Sequence, residues 1–415
     1  MPLRFDGVKP HTFLRRLSIR NFKSIGVCDV ELGPVTFLVG RNGAGKSNFL
    51  DSLHFVADGL QTSLDHAIKA RGGIDVVRRR STGHPRDFAI RLHFDIDERT
   101  RGSYGFELTA RKNGAFAVKR EQIVVESDTG RPLARFDRDE SRVVQAAVEY
   151  DRDPIMPPLL EDRLYLVNAA GLPAFRPAYD ALLAMGFYNL NPDAMKEVQS
   201  PDAGELLHGD GANIASVVAR LTDHEPDAMT RITQYLASIV PGIETVTREA
   251  LGPKETLKFS QRVEGAEHPW RFFASSMSDG TLRALGALVA VNQVANSGHS
   301  IRVVGIEEPE TALHPGAAGA LVDALREASA RTQIIATTHS ADLLDQIDTD
   351  TDSLLVVAAP GGNSRIAAAD PASSEAIRRH LYTPGDLLRM DQLQPDDADV
   401  QRQQQRELFE PALSL

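Results

Sequence analysis

The sequence predicts an α/β protein with a mixed, mainly parallel sheet, an antiparallel β subdomain and a helical insertion. The apolar β-branched run "VTFLVG" at 35–40 leads through a glycine-rich loop into a segment with helical apolar spacing. Residues 87–127 alternate apolar and polar positions, as antiparallel strands do. After residue 274, apolar strands alternate with helical patterns, which favours parallel strands joined by right-handed crossovers.

Composition limits the class of protein. The 415 residues allow roughly two to three domains. The net charge is 46 − 57 = −11, so no general electrostatic attraction to nucleic acid is expected, and DNA contact would need a local basic patch. The single cysteine, Cys28, can form no internal disulfide, which favours a reduced, cytoplasmic setting. No signal-peptide pattern and no membrane-spanning apolar run are found, so no membrane partner is expected.

The pattern divides the chain into four segments. Residues 1–150 contain the glycine-rich loop and the alternating strands, and the proline-rich, acidic stretch 151–162 marks a boundary. Residues 151–250 are expected to be mainly helical, residues 251–370 to resume the strand–helix alternation, and residues 371–415 to be a C-terminal extension whose tail after 390 is polar and peripheral. The individual elements are predicted as an edge strand at 14–25, strands at 87–97, 103–111 and 114–127, helices within 173–238, two strands around Lys258, a buried helix at 278–295, strands at 301–308, 332–340 and 353–359, and helices at 315–329 and 340–347.

Residues 40–47, "GRNGAGKS", match the phosphate-binding pattern G-x-x-x-x-G-K-[ST] in full. Backbone N–H groups of such a loop cradle phosphates, assisted by the positive N-terminus of the following helix. Lys46 would reach the β- and γ-phosphates, and Ser47 would hold Mg²⁺. A chance match is the alternative, but the loop lies between a predicted strand and helix, as the mechanism requires. The residues expected at the nucleotide are Asn42, Gly43, Ala44, Gly45, Lys46, Ser47 and Asn48.

The segment "VVGIEEPETALHP" places three carboxylates at the end of a buried strand. Glu307 is positioned to bind Mg²⁺, directly or through water, and Glu308 to polarise the attacking water as general base. The alternative is a surface turn whose glutamates are stabilised by a helix dipole. That structural role is our interpretation of Glu310, and His314 is expected to shape a loop.

Two further motifs belong with this site. His339 ends the next apolar strand, where it could contact the γ-phosphate, although a histidine at such a place can also be structural. Ser278 is a good helix N-cap, with Asp279 and Gly280 in the first turn. This cap precedes the Glu307 strand by about thirty residues and begins a buried helix, which is where an ABC-type ATPase has its signature motif.

Together these motifs resemble the ABC-type ATPases of the RecF/SMC class, and more narrowly the compact bacterial AAA family ATPases related to the OLD-family ATPase domain. The resemblance rests on "LRRLSIRNFKSI", "GRNGAGKSNFLD", "MSDGTLR", "IEEPETALHP" and "TTHSADLLD", and it covers most of the chain to about residue 390. It implies an ABC-type ATPase head, ATP and Mg²⁺ as cofactors, and catalytic roles for Lys46, Glu308 and His339. It also implies a head-to-head homodimer with two ATP molecules at the interface, where Ser278 contacts the γ-phosphate bound by the other chain.

The same resemblance implies partners. Relatives act on DNA ends, in repair or in defence against phage, and many work with a nuclease of TOPRIM type. This chain departs from the class in having Glu307 where many members have Asp, and in lacking a clear glutamine loop, for which Gln61 is a weak candidate. No heptad stretch is long enough for an SMC coiled coil. Residues 348–352, "DTDTD", imitate a TOPRIM motif but precede a strand, so a solvated loop without nuclease function is expected.

Two basic clusters could contact DNA. The denser one contains Arg78, Arg79 and Arg80, and a second lies within residues 15–23. A solvated turn, or arginines paired with the abundant acids, is the alternative. Two other functions stay open: a nucleotide-binding subunit of a membrane transporter, and a small-molecule kinase.

Overall fold

The computed structural model describes residues 12–81, 83, 85–148, 155–160, 163–293 and 301–409. The first eleven residues, half of the expected boundary at 151–162 and the end of the helix expected at 278–295 lie outside these ranges. The strands are β1 (Leu14–Phe22), β2 (Ile25–Glu31), β3 (Val35–Val39), β4 (Asp87–Asp97), β5 (Thr100–Ala110), β6 (Phe116–Ser127), β7 (Pro132–Asp139), β8 (Val143–Val148), β9 (Met185–Tyr188), β10 (Ile243–Leu251), β11 (Lys254–Gln261), β12 (Trp270–Phe273), β13 (Val303–Glu307), β14 (Gln333–Thr338), β15 (Ser353–Ala358) and β16 (Arg365–Ala368).

Most helices are short, and the longest follows the glycine-rich loop. The helices are α1 (Lys46–Gln61), α2 (Leu64–Lys69), α3 (Ile74–Val77), α4 (Tyr165–Ala169), α5 (Arg176–Leu183), α6 (Pro192–Lys196), α7 (Ile214–His224), α8 (Pro226–Ile239), α9 (Asp279–Asn292), α10 (Ala318–Ala328), α11 (Ala341–Leu344), α12 (Pro371–Arg378), α13 (Pro384–Arg389) and α14 (Asp397–Gln405). No helix of the described ranges is long and apolar enough to cross a membrane.

A six-stranded sheet positions the motifs. Its order is β16-β15-β3-β14-β13-β9, and all its strands are parallel except β16. Because β3, β14 and β13 are parallel neighbours, their carboxyl ends meet at one edge, which brings the phosphate loop, His339 and the glutamates together. The predicted mixed, mainly parallel sheet is confirmed.

The second sheet has seven antiparallel strands in the order β2-β1-β4-β5-β6-β7-β8. The predicted antiparallel subdomain is therefore confirmed, although it also includes β7 and β8. The stretch predicted as one edge strand at 14–25 is β1, a turn and the start of β2. Helix α1 packs beneath this sheet, and the Phe55 ring lies 5.9 Å from Phe22 and 5.6 Å from Phe88 between centroids.

A third sheet, β10-β11-β12, packs with helices α7 and α8 in the hydrophobic core on the other side of the six-stranded sheet. The six-stranded sheet therefore separates two hydrophobic cores, and the side chains of β3 alternate between them. Leu38 belongs to the core beneath the seven-stranded sheet, and Phe37 and Val39 belong to the opposite core. Helix α9 is buried on nearly all sides, as its apolar sequence predicted.

Two local predictions are wrong. Residues 178–187 lie within the stretch 173–238 that was expected to be helical, but α5 ends at Leu183 and β9 adds a parallel strand beside β13. The C-terminal extension was expected to be peripheral, but α14 packs on β2 and β16. Gln403 is fully buried there, accepting a hydrogen bond from the Asp29 N–H and donating one to the Ile366 carbonyl.

Candidate functional site

The phosphate loop connects β3 to α1 with a backbone that requires glycine. Gly45 has φ 107°, and a Cβ at this position would lie 2.1 Å from the Ser364 Oγ. Lys46 is buried, and its Nζ donates to the carbonyl oxygens of Gly40 at 2.8 Å and Arg41 at 3.2 Å. Burial lowers the pKa of Lys46, while the nearby Glu308 and two further glutamates oppose this shift. The ammonium group is thus held over the loop where phosphates would bind.

The metal residues expected from the sequence are in direct contact. The Ser47 Oγ donates a hydrogen bond of 2.5 Å to the Glu307 Oε2. A hydroxyl and a carboxylate oxygen suit Mg²⁺, which takes one or two protein ligands plus phosphate oxygens and water. No cluster of three His, Cys, Asp or Glu side chains that could hold a metal occurs in the described ranges. These two residues therefore fit a metal that is shared with a nucleotide.

The expected general base lies beside the expected sensor. Glu308 follows β13 in the left-handed region at φ 44°, and its N–H donates to the Thr337 carbonyl at 3.1 Å. The Glu308 Oε1 lies 3.0 Å from the His339 Nδ1. Both side chains are partly solvent-accessible, at 33% and 43%. A carboxylate held by an imidazole at the end of the sheet can accept a proton from water.

Ser278 caps α9, as expected. Its Oγ accepts a hydrogen bond from the Thr281 N–H at 3.2 Å. Ser278 and Asp279 are exposed, and the Asp279 carboxylate pairs with Lys196 at 2.5 Å. Gly280 is buried against the Ala312 carbonyl, where a Cβ would lie only 2.2 Å from the oxygen. This close approach joins the start of α9 to the turn that follows the glutamates.

Glu310 has a different role from the one expected. It does not begin a helix, since the next helical residues are the 3₁₀ turn Pro315–Ala317. Glu310 is buried and accepts a hydrogen bond of 2.5 Å from the Thr338 Oγ1, and burial raises its pKa. His314 does shape the loop, because its Nδ1 accepts a hydrogen bond from the Gly316 N–H.

Two serines brace the phosphate loop and were not predicted. The Ser24 Oγ lies 2.6 Å from the Ser364 Oγ and accepts a hydrogen bond from the Asn48 side chain. The Ser364 Oγ also donates to the Ala44 carbonyl at 2.6 Å. Ser24 belongs to "NFKSI", which is a visible motif, but Ser364 has no local sequence signal because β16 brings it to the loop from 320 residues away.

The weak glutamine-loop candidate is wrong. Gln61 is the last residue of α1, about 22 Å along the helix from Lys46. The edge strand β9 instead ends beside β13, and the next residue, Asn189, lines a cavity of about 240 Å³ together with Glu307 and Asp210. Asn189 could not be placed at this cavity from sequence, because its position depends on β9.

Two of the three arginines expected to contact DNA, Arg78 and Arg80, have side-chain partners within the chain. Arg78 pairs with Asp75 at 2.7 Å and donates to the Pro85 carbonyl, and the Arg80 Nε donates to the Asp75 carbonyl. Arg79 packs against Gly26, and only Arg80 of the three is exposed. The second cluster is paired as well: Arg15 with Asp95, Arg16 with Asp29 and Lys23 with Asp51, while Arg20 donates to the Gln403 and Arg406 carbonyls.

The "DTDTD" acids precede β15, as expected, but Asp352 is not solvated. It is buried and forms an ion pair with Arg326 at 2.6 Å. This pair fixes the loop to α10, which gives the last acid of the motif a structural role.

The C-terminal extension reaches the phosphate loop. The Asp391 Oδ2 lies 3.3 Å from the Arg41 Nη1, with both side chains largely exposed. Leu388 and Leu393 line a cavity of about 680 Å³ together with residues 40–44 of the loop. Arg389 pairs with Asp342 and Asp345 of the segment that follows His339. The extension therefore connects two parts of the site.

The fold and site define a P-loop ATPase with an ABC-type head, of the RecF/SMC class and related to OLD proteins. Residues 35–345 match a family described as "AAA domain, putative AbiEii toxin, Type IV TA system". This match covers more than half of the chain, and the chain belongs to that family.

Similar proteins are known from sequence and from structure. The chain is 32% identical over 136 residues to the OLD nuclease of Thermus scotoductus, covering 30% of this chain and 22% of that protein. It is 51% identical over 45 residues to the DNA replication and repair protein RecF of Porphyromonas gingivalis, covering 11% and 12%. The chain thus spans less than a quarter of the length of these relatives.

Solved structures share the fold. An SMC head bound to the C-winged helix domain of ScpA superposes with a TM-score of 0.53 at 14% identity, over 88% of this chain and all of that chain. The Smc head domain with an extended coiled coil from Pyrococcus furiosus gives a TM-score of 0.50 at 12% identity, over 89% and 99%. At these identities the likeness concerns the fold alone.

Proposed function

We propose that this protein hydrolyses ATP as a head-to-head dimer and uses the resulting conformational cycle to control a nuclease-type partner in DNA repair or anti-phage defence. The observation that carries the ATPase proposal is the Ser47–Glu307 contact beside Lys46, with the Glu308–His339 pair at the end of the adjacent strand. Three parallel strands hold these groups at one edge of a rigid sheet. Such preorganisation is what phosphoryl transfer requires from a protein.

Each side chain has a role in the proposed reaction. Lys46 and the loop N–H groups bind and orient the phosphates, and Glu308 accepts a proton from the attacking water. His339 holds the Glu308 carboxylate on one side and can contact the γ-phosphate on the other. Ser47 and Glu307 would hold Mg²⁺, which supplies positive charge to the phosphate oxygens in the transition state.

The dimer proposal is supported by Ser278. Its side chain is exposed at the N-terminus of the fourteen-residue helix α9, where N–H groups and the helix dipole favour an anion. In the proposed dimer, this helix start of one chain contacts the γ-phosphate of ATP bound to the other. ATP binding closes the dimer, and hydrolysis opens it.

The link to DNA and to a nuclease is supported by the relatives. One similar protein is an OLD nuclease, and another is a DNA replication and repair protein. The similar regions cover a small part of each relative, and in our proposal the nuclease activity belongs to a partner that this ATPase controls.

Two substitutions test the ATPase. Glu308→Gln removes the proton acceptor and keeps the size of the side chain, so ATP binding should persist while turnover falls by about 10²-fold or more. Lys46→Ala should reduce nucleotide binding itself. Phosphate release and nucleotide binding would be measured on both variants, with Glu98→Gln, an exposed glutamate, as the matched control. Wild-type turnover by Glu308→Gln would refute the assigned general base.

A further inference from the structure

The strand that leads to Ser278 has exposed aromatic side chains. In the described part of the chain, β12 pairs with β11 on one edge and with no strand on the other. Trp270 is 55% exposed and Phe273 is 42% exposed. They lie on opposite faces of the strand, so apolar surface surrounds the free edge. Proteins usually protect such an edge, because unpaired backbone and apolar side chains promote association.

This edge lies close to the start of α9, the helix that Ser278 caps. Phe273 precedes Ser278 by five residues, which limits their separation to about 17 Å even for an extended chain. The intervening 3₁₀ turn, Ala274–Ser276, shortens that distance further. A molecule that contacts Ser278 therefore passes near β12.

A second exposed apolar position flanks the phosphate loop. Met390, at the end of α13, is 43% exposed, and its neighbour Asp391 pairs with Arg41 of the loop. In a two-fold dimer, a contact between Ser278 of one chain and the phosphate loop of the other occurs twice, and so does every contact around it. Since β12 lies near Ser278 and Met390 adjoins the residue that pairs with Arg41 of the loop, that contact would bring the β12 edge towards the partner's α13 end. Exposed Arg271 on the strand and Asp391 on the opposite surface carry opposite charges.

We propose that a second copy of this chain covers the β12 edge, so that Trp270 and Phe273 of each copy pack against the Met390 segment of the other in the ATP-bound dimer. This inference rests on the proposed function, because it assumes ATP-driven head-to-head pairing. It adds the residues that extend the interface beyond the nucleotide.

Trp270 reports on its own burial, since it is the single tryptophan of the chain. Adding ATP and Mg²⁺ to the Glu308→Gln protein should shift its emission to shorter wavelength and reduce acrylamide quenching at least about twofold as Trp270 leaves water. The Glu308→Gln protein with Ser278→Arg added should bind ATP, stay monomeric and keep Trp270 exposed. Light scattering would record the size of each sample.

Two results distinguish a failure of the β12 contact from a failure of the proposed dimer. A dimer that forms while the quenching of Trp270 stays unchanged overturns this inference and leaves the proposed dimer standing. If no dimer forms with ATP, the proposed function fails and this inference fails with it.

A second variant tests the opposite surface. Met390→Lys in the Glu308→Gln protein should weaken ATP-dependent dimerisation at least about tenfold, because it places a charge in a desolvated contact. Val144→Lys on β8, another exposed apolar position at 58% exposure, is the control and should leave dimerisation unchanged. If the two variants dimerised equally well, Met390 would lie outside the interface.

Discussion

At the scale of single residues, the three glutamates after β13 have three different environments. Glu307 accepts a hydrogen bond from Ser47, and Glu308 contacts the His339 imidazole. Glu310 is buried and accepts a hydrogen bond from Thr338. The sequence indicated the first two because the phosphate loop demands a metal ligand and a base. It did not indicate the third, since burial of a turn residue depends on how β14 packs beside it.

Glu310 gives a pH-dependent prediction. Burial raises the pKa of Glu310 in the folded protein above that of the unfolded chain, so the folded state binds the proton more tightly. Its contribution to stability is therefore greatest at low pH and declines as pH rises through the raised folded-state pKa. Glu310→Gln should increase the free energy of unfolding at neutral pH and remove this decline.

Denaturant unfolding at a series of pH values, on Glu310→Gln and on the exposed control Glu98→Gln, measures the effect. If the difference between Glu310→Gln and the wild type did not grow above pH ~4.5, the raised pKa would be incorrect.

At the scale of elements, the sequence predicted the strands and helices that carry the motifs. β3, α1, α9, β13 and β14 have strong apolar patterns that match their burial. β9 could not be predicted because its four residues follow α5 with a spacing that also fits a helix. They form a strand because they pair with β13, a contact that is distant in sequence. The docked helix α14 was missed because its mean hydropathy is low and its anchor is a polar residue, Gln403.

Gln403 allows a test of α14 docking. Gln403→Ala should leave the Asp29 N–H and the Ile366 carbonyl without their partner, at a cost of about 1–3 kcal/mol in the free energy of unfolding. Gln404→Ala, the next residue and an exposed one, is the matched control and should change stability by less than about 0.5 kcal/mol. Equal effects of the two substitutions in denaturant unfolding would show that α14 is not anchored through Gln403.

At the scale of the whole molecule, the phosphate loop and the capped start of α9 could be predicted from sequence, but the pairing between chains that we propose for them could not. Ser278 has a clear local signal as an N-cap, whereas the γ-phosphate contact that we propose for it would need a second chain. In the basic clusters, by contrast, the local sequence signal did not show how the side chains are paired. Their charge density suggested DNA contact, but most of these side chains have partners within the fold, a fact that depends on long-range pairing.

The central claim is that each ATP site uses Lys46 of one chain and Ser278 of the other. Mixing Lys46→Ala protein with Ser278→Arg protein tests it most directly, since each variant alone has no complete site. A mixed dimer would contain one intact site, formed by Lys46 of the Ser278→Arg chain and Ser278 of the Lys46→Ala chain. Since neither variant is expected to form an ATP-bound dimer by itself, only the mixed dimer can assemble, and with independent sites the equimolar mixture should recover up to about half of wild-type ATPase activity. A mixture no more active than the sum of the two separate variants would contradict the shared site.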